Sequence, residues 1–125
     1  MKLNILIVDD SPIMRRMIKK TIGLSGLDIA CIREAGDGKD ALDKLKEQAA
    51  DVLFVDVNMP VMDGLEMLER VRQDPNNKTL PIFIISTESN EKRIEYIKSQ
   101  NAEFLHKPFT PEDLKKKILP LVGAE

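Results

Sequence analysis

The chain has 125 residues, of which 42% are hydrophobic and 32% charged, and a net charge of −2. That is the size of one ordinary domain with a single sizeable core, and the near-neutral balance gives no reason to expect general binding to nucleic acid or to an anionic membrane. A single cysteine, Cys31, excludes an intrachain disulfide, and its neighbours Ala30 and Ile32 mark it as a small core side chain rather than a reactive thiol.

The opening MKLNILIV is too short for a signal-peptide core, and no apolar run reaches membrane-spanning length. A cytoplasmic location without membrane insertion is therefore expected. Asn4 to Val8 (NILIV) reads as a first strand, ending at Asp9 and Asp10. Ser11 is a helix N-cap with Pro12 at the first helical position. Ile13, Met14, Met17, Ile18 and Ile22 follow at helical spacing, with Gly26 just past the end. Such stripes ordinarily serve core packing. Ile29 to Glu34 forms a weaker strand, and Ala41, Leu42, Leu45 and Ala49 mark a second helix. Val52 to Val55 (VLFV) is a third strand running into Asp56, and Leu65, Leu68 and Val71 mark a third helix.

Gln73 to Pro81 (QDPNNKTLP) is rich in turn residues and reads as a loop within one domain. Ile82 to Ile85 (IFII) is a fourth strand, followed by Ser86 and Thr87. Ile94 and Ile97 mark a fourth helix, capped by Ser89 or Asn90. Glu103 to Leu105 is a short fifth strand leading to Lys107 and Pro108. Thr110, Pro111 and Asp113 open a fifth helix with an approximate capping box, and Leu114, Ile118 and Leu121 line its buried side. Pro120 is expected to end or kink it.

The continuous apolar runs suit strands covered on both faces, and β-α repeated about five times argues for a doubly wound parallel α/β sheet with helices on both faces. In such sheets, ligands sit beyond the carboxyl ends of the strands, at a switch point in strand order. Asp9, Asp10, Asp56, Ser86 and Lys107 all fall at that edge. If the strand order is 2-1-3-4-5, the first and third strands are neighbours and the three acids converge. Two carboxylates about 4 Å apart repel by roughly 4 kcal/mol at an effective dielectric of about 20. A hard divalent cation such as Mg²⁺ resolves the conflict, and a bound proton is the alternative. Either Asp9 or Asp10 alone reads as a turn residue near a helix cap, and a lone lysine as a solvated charge. Lys107, wedged between a strand and Pro108, reads better as their counter-charge.

The ordered set ILIVDDSP, VLFVDVNMPVMDG, IFIIST and FLHKPF, spread over essentially the whole chain, resembles the receiver domain of bacterial two-component response regulators. The resemblance implies the five-stranded 2-1-3-4-5 order of the CheY-like, flavodoxin-like fold. One receiver domain over residues 1–125 leaves nothing for an output domain, as in the single-domain chemotaxis regulators of the CheY-like group.

By this resemblance Asp56 is the phosphoacceptor, a carboxylate nucleophile that takes a phosphoryl group from a phosphohistidine on a sensor histidine kinase. Mg²⁺ draws ligands from Asp10, Asp56 and the backbone carbonyl of Asn58, with Asp9 acting through water. Lys107 pairs with a phosphoryl oxygen, and its bond to Pro108 is expected to be cis. Ser86 is the switch hydroxyl, in preference to its neighbour Thr87, and Phe104 is the aromatic switch residue, its ring turning inward on activation. Asn58 and Glu88 flank the attacking water and set the rate of dephosphorylation, which a phosphatase can assist.

The implied chain is no conventional enzyme. It is a monomeric switch whose fourth helix, fifth strand and fifth helix form the output surface, with Lys92, Arg93, Tyr96, His106, Lys115 and Lys116 on it. The output target is a partner such as a flagellar switch component, and the run Lys115 to Lys117 is a solvated face that can complement an acidic partner. The close alternative is a single-domain phosphorelay intermediate or a regulator of another output.

Two remoter readings share the layout. A flavodoxin-like FMN binder needs a donor-rich loop after the first strand, where this chain has Asp9 and Asp10, and aromatic rings to stack on the flavin, where it has no tryptophan and the single tyrosine Tyr96. An aspartate-nucleophile phosphohydrolase usually carries a second acid two residues past the nucleophile, where this chain has Asn58, and a cap insertion that it lacks.

Overall fold

The computed structural model describes residues 2–57, 62–86, 91–107 and 109–122. Asn58, Thr87, Glu88, the candidate caps Ser89 and Asn90, and Pro108 with its peptide bond lie outside the described residues. Strands and helices alternate: β1 (Leu3–Val8), α1 (Pro12–Leu24), β2 (Ile29–Ala35), α2 (Gly38–Glu47), β3 (Val52–Asp56), α3 (Gly64–Gln73), β4 (Ile82–Ser86), α4 (Glu91–Ser99), β5 (Glu103–His106) and α5 (Pro111–Val122). The five strands are parallel in the order β2-β1-β3-β4-β5.

Strand side chains alternate between two apolar layers, as the period of two requires. Leu6, Val8, Leu53, Val55, Ile84 and Phe104 pack with Ala41, Met67, Leu68 and Ile97, beneath α2, α3 and α4. Ile5, Ile7, Phe54, Phe83, Ile85 and Leu105 pack with Ile18, Ile22, Leu114 and Ile118, beneath α1 and α5. Phe54 and Phe83, paired in register on β3 and β4, stack with centroids 5.3 Å apart. Burial on both faces is why these strands read as unbroken apolar runs.

The helix boundaries follow local chemistry. Ser11 Oγ accepts from the Met14 backbone N–H at 3.2 Å, and Gly26 takes φ +82° just past the α1 C-cap at Ser25. At α5 the Thr110 and Asp113 side chains each accept the other's backbone N–H, at 3.1 and 3.0 Å, which makes the capping box a real one. Between α3 and β4 the turn-rich stretch carries a short 3-10 helix at Pro75–Asn77, where Asp74 accepts from the Asn76 N–H.

Three expectations are corrected. The α1 stripe is not all core: Ile18 and Ile22 are buried, but Ile13 and Met17 are 67% and 57% exposed. Ile13 and Met17 lie about 140° round the helix from Ile18 and Ile22, on the side turned away from the sheet. Helix α2 stops at Glu47, so Ala49 lies beyond it; the guanidinium of Arg33 on β2 takes up the carbonyls of Lys44, Gln48 and Ala49 there. Helix α5 continues through Pro120 to Val122. Proline there removes one donor in the last helical turn, opposite the exposed residue Lys116, so it does not end the helix.

Candidate functional site: an acidic pocket at the sheet edge

Strand order makes the site. The connection after β1 runs one way, to β2, and the connection after β3 runs the other way, to β4, which opens a crevice between the carboxyl ends of β1 and β3. Asp9 and Asp10 follow β1 there, and Asp56 closes β3 beside them. One carboxylate oxygen of each lies within 4.8 Å of the other two. Asp9 is 1% exposed and Asp56 8%, whereas Asp10 faces solvent.

The Asp9 carboxylate divides its work. Oδ1 accepts the Ser11 backbone N–H at 2.9 Å, which turns the chain into α1. Oδ2 is buried without a hydrogen-bond partner among the described residues. Burial foremost, with the charges of Asp56 and Asp10, raises the Asp9 pKa above its ordinary value; the Ser11 N–H and Lys107 pull the other way without cancelling it. A buried carboxylate oxygen with no donor is costly on its own. Oxygen-only ligands with solvent access through Asp10 are what a hard cation such as Mg²⁺ prefers, so the residues present fit that ion.

Lys107 faces the acids from the opposite side. Its Nζ stands 3.5 Å from Asp56 Oδ1, and its backbone N–H donates to the Ser86 carbonyl at 2.8 Å, which anchors the loop after β5 to the end of β4. Ser86 is 3% exposed and pairs with His106 in register. Asp9, Asp10, Asp56, Ser86 and Lys107 thus lie along one edge of the sheet, as their positions after the strands imply.

The β3-α3 connection is held close. The Gly64 N–H donates to the Val57 carbonyl at 2.9 Å, and a Cβ on Gly64 would stand 2.9 Å from Val57 Cα and closer still to the Asp56 carbonyl oxygen. Only glycine permits that approach.

Phe104 packs into the layer beneath α3 and α4 and is 8% exposed, its ring edge-on to His106 at 6.0 Å. The ring lies inside the core in this structure. A phenyl ring lacks the hydroxyl that would reward an outward position. Lys92, Arg93, His106, Lys115 and Lys116 are exposed and Tyr96 is 36% exposed, in keeping with a surface on α4, β5 and α5. Lys117, read as part of a solvated run, donates to the Phe104 carbonyl at 2.8 Å and ties α5 to β5.

Sequence reasoning passed over Arg15. Its Nη1 donates to the Asp9 carbonyl at 2.6 Å and its Nε to Glu34 at 2.9 Å. The only available signal was an arginine one turn into a helix that opens beside two acids.

Comparison with known proteins agrees with this geometry. Residues 5–119 match the family model described as the response regulator receiver domain. The chain is 41% identical over 124 residues to the Chemotaxis protein CheY1 of Helicobacter pylori, covering 98% of both chains. It is 38% identical over 117 residues to the Chemotaxis protein CheY-3 of Vibrio cholerae, covering 93% of this chain and 88% of the other. Among solved structures, Vibrio cholerae chemotaxis protein CheY4 aligns with a TM-score of 0.83 at 35% identity, covering 97% of this chain and 99% of that one. A putative response regulator from Chloroflexus aurantiacus aligns at 0.86 with 29% identity, covering 98% of each. Matched along nearly its whole length and folded in the same strand order, this chain belongs to the response regulator receiver domain family.

Proposed function

We propose that the chain is a phosphorylatable switch of the chemotaxis type, with Asp56 as its phosphoacceptor. The observation that carries this reading is the opposition of Lys107 to a cluster of three carboxylates, one of them with a buried oxygen that has no hydrogen-bond partner among the described residues. In the reaction, an Asp56 oxygen attacks the phosphorus of a histidine kinase's phosphohistidine. The new P–O bond forms as the P–N bond breaks, and the imidazole nitrogen keeps the electron pair.

Asp10, Asp56 and the Asn58 backbone carbonyl would hold Mg²⁺ directly, with Asp9 acting through water. When bound, the ion supplies positive charge for the developing phosphoryl oxygens. Lys107 supplies a second positive charge from the β5 side. Its amine stands close to an Asp56 oxygen, so a phosphoryl group on Asp56 takes over that pairing. Ser86, or its neighbour Thr87, donates its hydroxyl to the same group, and Asn58 and Glu88 set the lifetime by flanking the attacking water.

Phosphorylation replaces one carboxylate charge by a doubly negative group. That change biases the surface of α4, β5 and α5, which engages an output target such as a flagellar switch component. Phe104 contributes as a ring held inward, and its inward packing is what phosphorylation would secure rather than create. The exposed lysines of α5 suit an acidic target.

Beryllofluoride, a phosphoryl mimic, tests the reading. With Mg²⁺ it is expected to shift amide resonances at Ser86, along α4 and on β5 in the native chain, and to leave Asp56→Asn unchanged. Equal shifts in both proteins would remove Asp56 from the mechanism.

A further inference from the structure

Arg15 occupies a position that neither the acids nor the lysine explains. Asp9 is held at both ends of its own backbone from the β2 side. Its N–H donates to the Ala35 carbonyl at 3.1 Å, and its carbonyl accepts from Arg15 Nη1 at 2.6 Å. The same guanidinium donates through Nε to Glu34 Oε1 at 2.9 Å, and Glu34 is the residue immediately before Ala35. Two adjacent residues at the end of β2 therefore fix the Asp9 peptide, one directly and one through Arg15. The Arg15 side chain is only 18% exposed, against 37% for Glu34.

The charge count separates this role from that of Lys107. Arg15 pairs with Glu34, which Lys19 approaches more distantly at 4.0 Å, and its contact with Asp9 is to the backbone oxygen, not the carboxylate. Its positive charge is thus spent on β2 and not on the acidic cluster. A planar guanidinium can bridge an acceptor on each of two elements, which a single ammonium on a flexible stem does poorly. With N–H and C=O both pinned and Oδ1 occupied by Ser11, the Asp9 side chain retains one free direction, that of Oδ2.

We propose that Arg15, anchored by Glu34, is a positioning residue that holds the Asp9 peptide so that the Asp9 carboxylate stays aimed into the Mg²⁺-binding cluster. The inference rests on the Mg²⁺ reading of the site given above. Outer partners that orient a metal-binding group commonly change affinity 10- to 100-fold when removed.

The test is calorimetric titration of the full chain with Mg²⁺ alone, for the native protein, Arg15→Ala, Arg15→Lys, Glu34→Gln and the exposed neighbour Arg16→Ala. Thermal unfolding in chelator is measured alongside. Arg15→Ala is expected to weaken Mg²⁺ about tenfold, Arg15→Lys to fall between it and native, and Arg16→Ala to bind as native. In the double variant Arg15→Ala with Glu34→Gln, the two losses are expected to be less than additive, because both act through one contact. A stability loss in Arg15→Ala with unchanged Mg²⁺ affinity would overturn the inference and leave Arg15 a packing residue. Failure of the native chain to bind Mg²⁺ would overturn the reading of the site itself, and this inference with it.

Discussion

Asp9 concentrates the conflict at the residue scale. Its carboxylate turns the chain into α1 through Ser11, yet leaves Oδ2 buried and without a donor among the described residues. Burial raises its pKa, so the folded chain binds this proton more tightly than the unfolded one. By linkage, the stability it contributes is fully present below the unfolded pKa and is lost as the pH rises through the raised value. At neutral pH the metal-free protein therefore carries a cost that a cation relieves. Asp9→Asn is expected to raise metal-free stability by about 1 kcal/mol and to abolish most of the stabilisation by Mg²⁺. Urea midpoints with and without Mg²⁺ measure both effects, and a variant that Mg²⁺ stabilises as well as native would contradict this account. Gly64 is the second sensitive residue. Gly64→Ala forces Cβ against the Asp56 and Val57 backbone, with an expected loss of about 1–3 kcal/mol and slower phosphorylation, because the backbone that must yield carries the proposed acceptor.

Among the elements, α4 is held at one end. Arg72 of α3 donates through Nε to the Gln100 carbonyl at 2.7 Å, through Nη2 to Asn101 at 3.0 Å, and through Nη1 to Asn77 at 2.7 Å. Asn101 sits in the left-handed region at φ 61°, the turn that brings these carbonyls together. Arg72→Ala frees the C-terminal end of α4 and is expected to cost about 2 kcal/mol, read as a lower urea midpoint at unchanged slope. Faster amide exchange confined to α4 and its following turn should accompany it.

Two carboxylates in first helical turns give a pH signature opposite to that of Asp9. For Asp40, burial pushes upward, but hydrogen bonds from Lys44 and the Gly36 N–H outweigh it and lower the pKa. For Asp113, the Thr110 backbone N–H, followed by its hydroxyl, lowers it. A lowered folded pKa contributes stability that is present above the unfolded value and lost as the pH falls through the folded one. Acid should therefore loosen the starts of α2 and α5 while it relieves Asp9. Amide exchange followed through the acid range in chelator checks the order, and protection at the start of α5 that survives below the lowered Asp113 value would contradict it.

For the molecule as a whole, β1, β3 and β4 were legible because burial on both faces leaves unbroken apolar runs, whereas the strand order followed only from the resemblance to receiver domains. The acidic cluster was legible because its residues fall at the ends of apolar runs: Asp9, Asp10 and Lys107 follow strands, and Asp56 and Ser86 close theirs. What the sequence could not show was contact across elements. At 3.6 residues per turn Ile13 and Met17 lie about 140° round the helix from Ile18 and Ile22, yet the linear pattern does not tell which pair meets the sheet. Nor does it tell that Lys117 leaves the solvated run for the Phe104 carbonyl, or that Arg15 reaches back to Asp9. Long cationic side chains find their acceptors in three dimensions.

On the proposed mechanism Asp56 accepts a phosphoryl group in a site that needs a divalent cation. Intact mass spectrometry after incubation with acetyl phosphate tests it most directly. The native chain with Mg²⁺ should gain the mass of one phosphoryl group, and neither Asp56→Asn nor the native chain in chelator should gain it. Equal gain by Asp56→Asn, or none by the native chain with Mg²⁺, would contradict the claim.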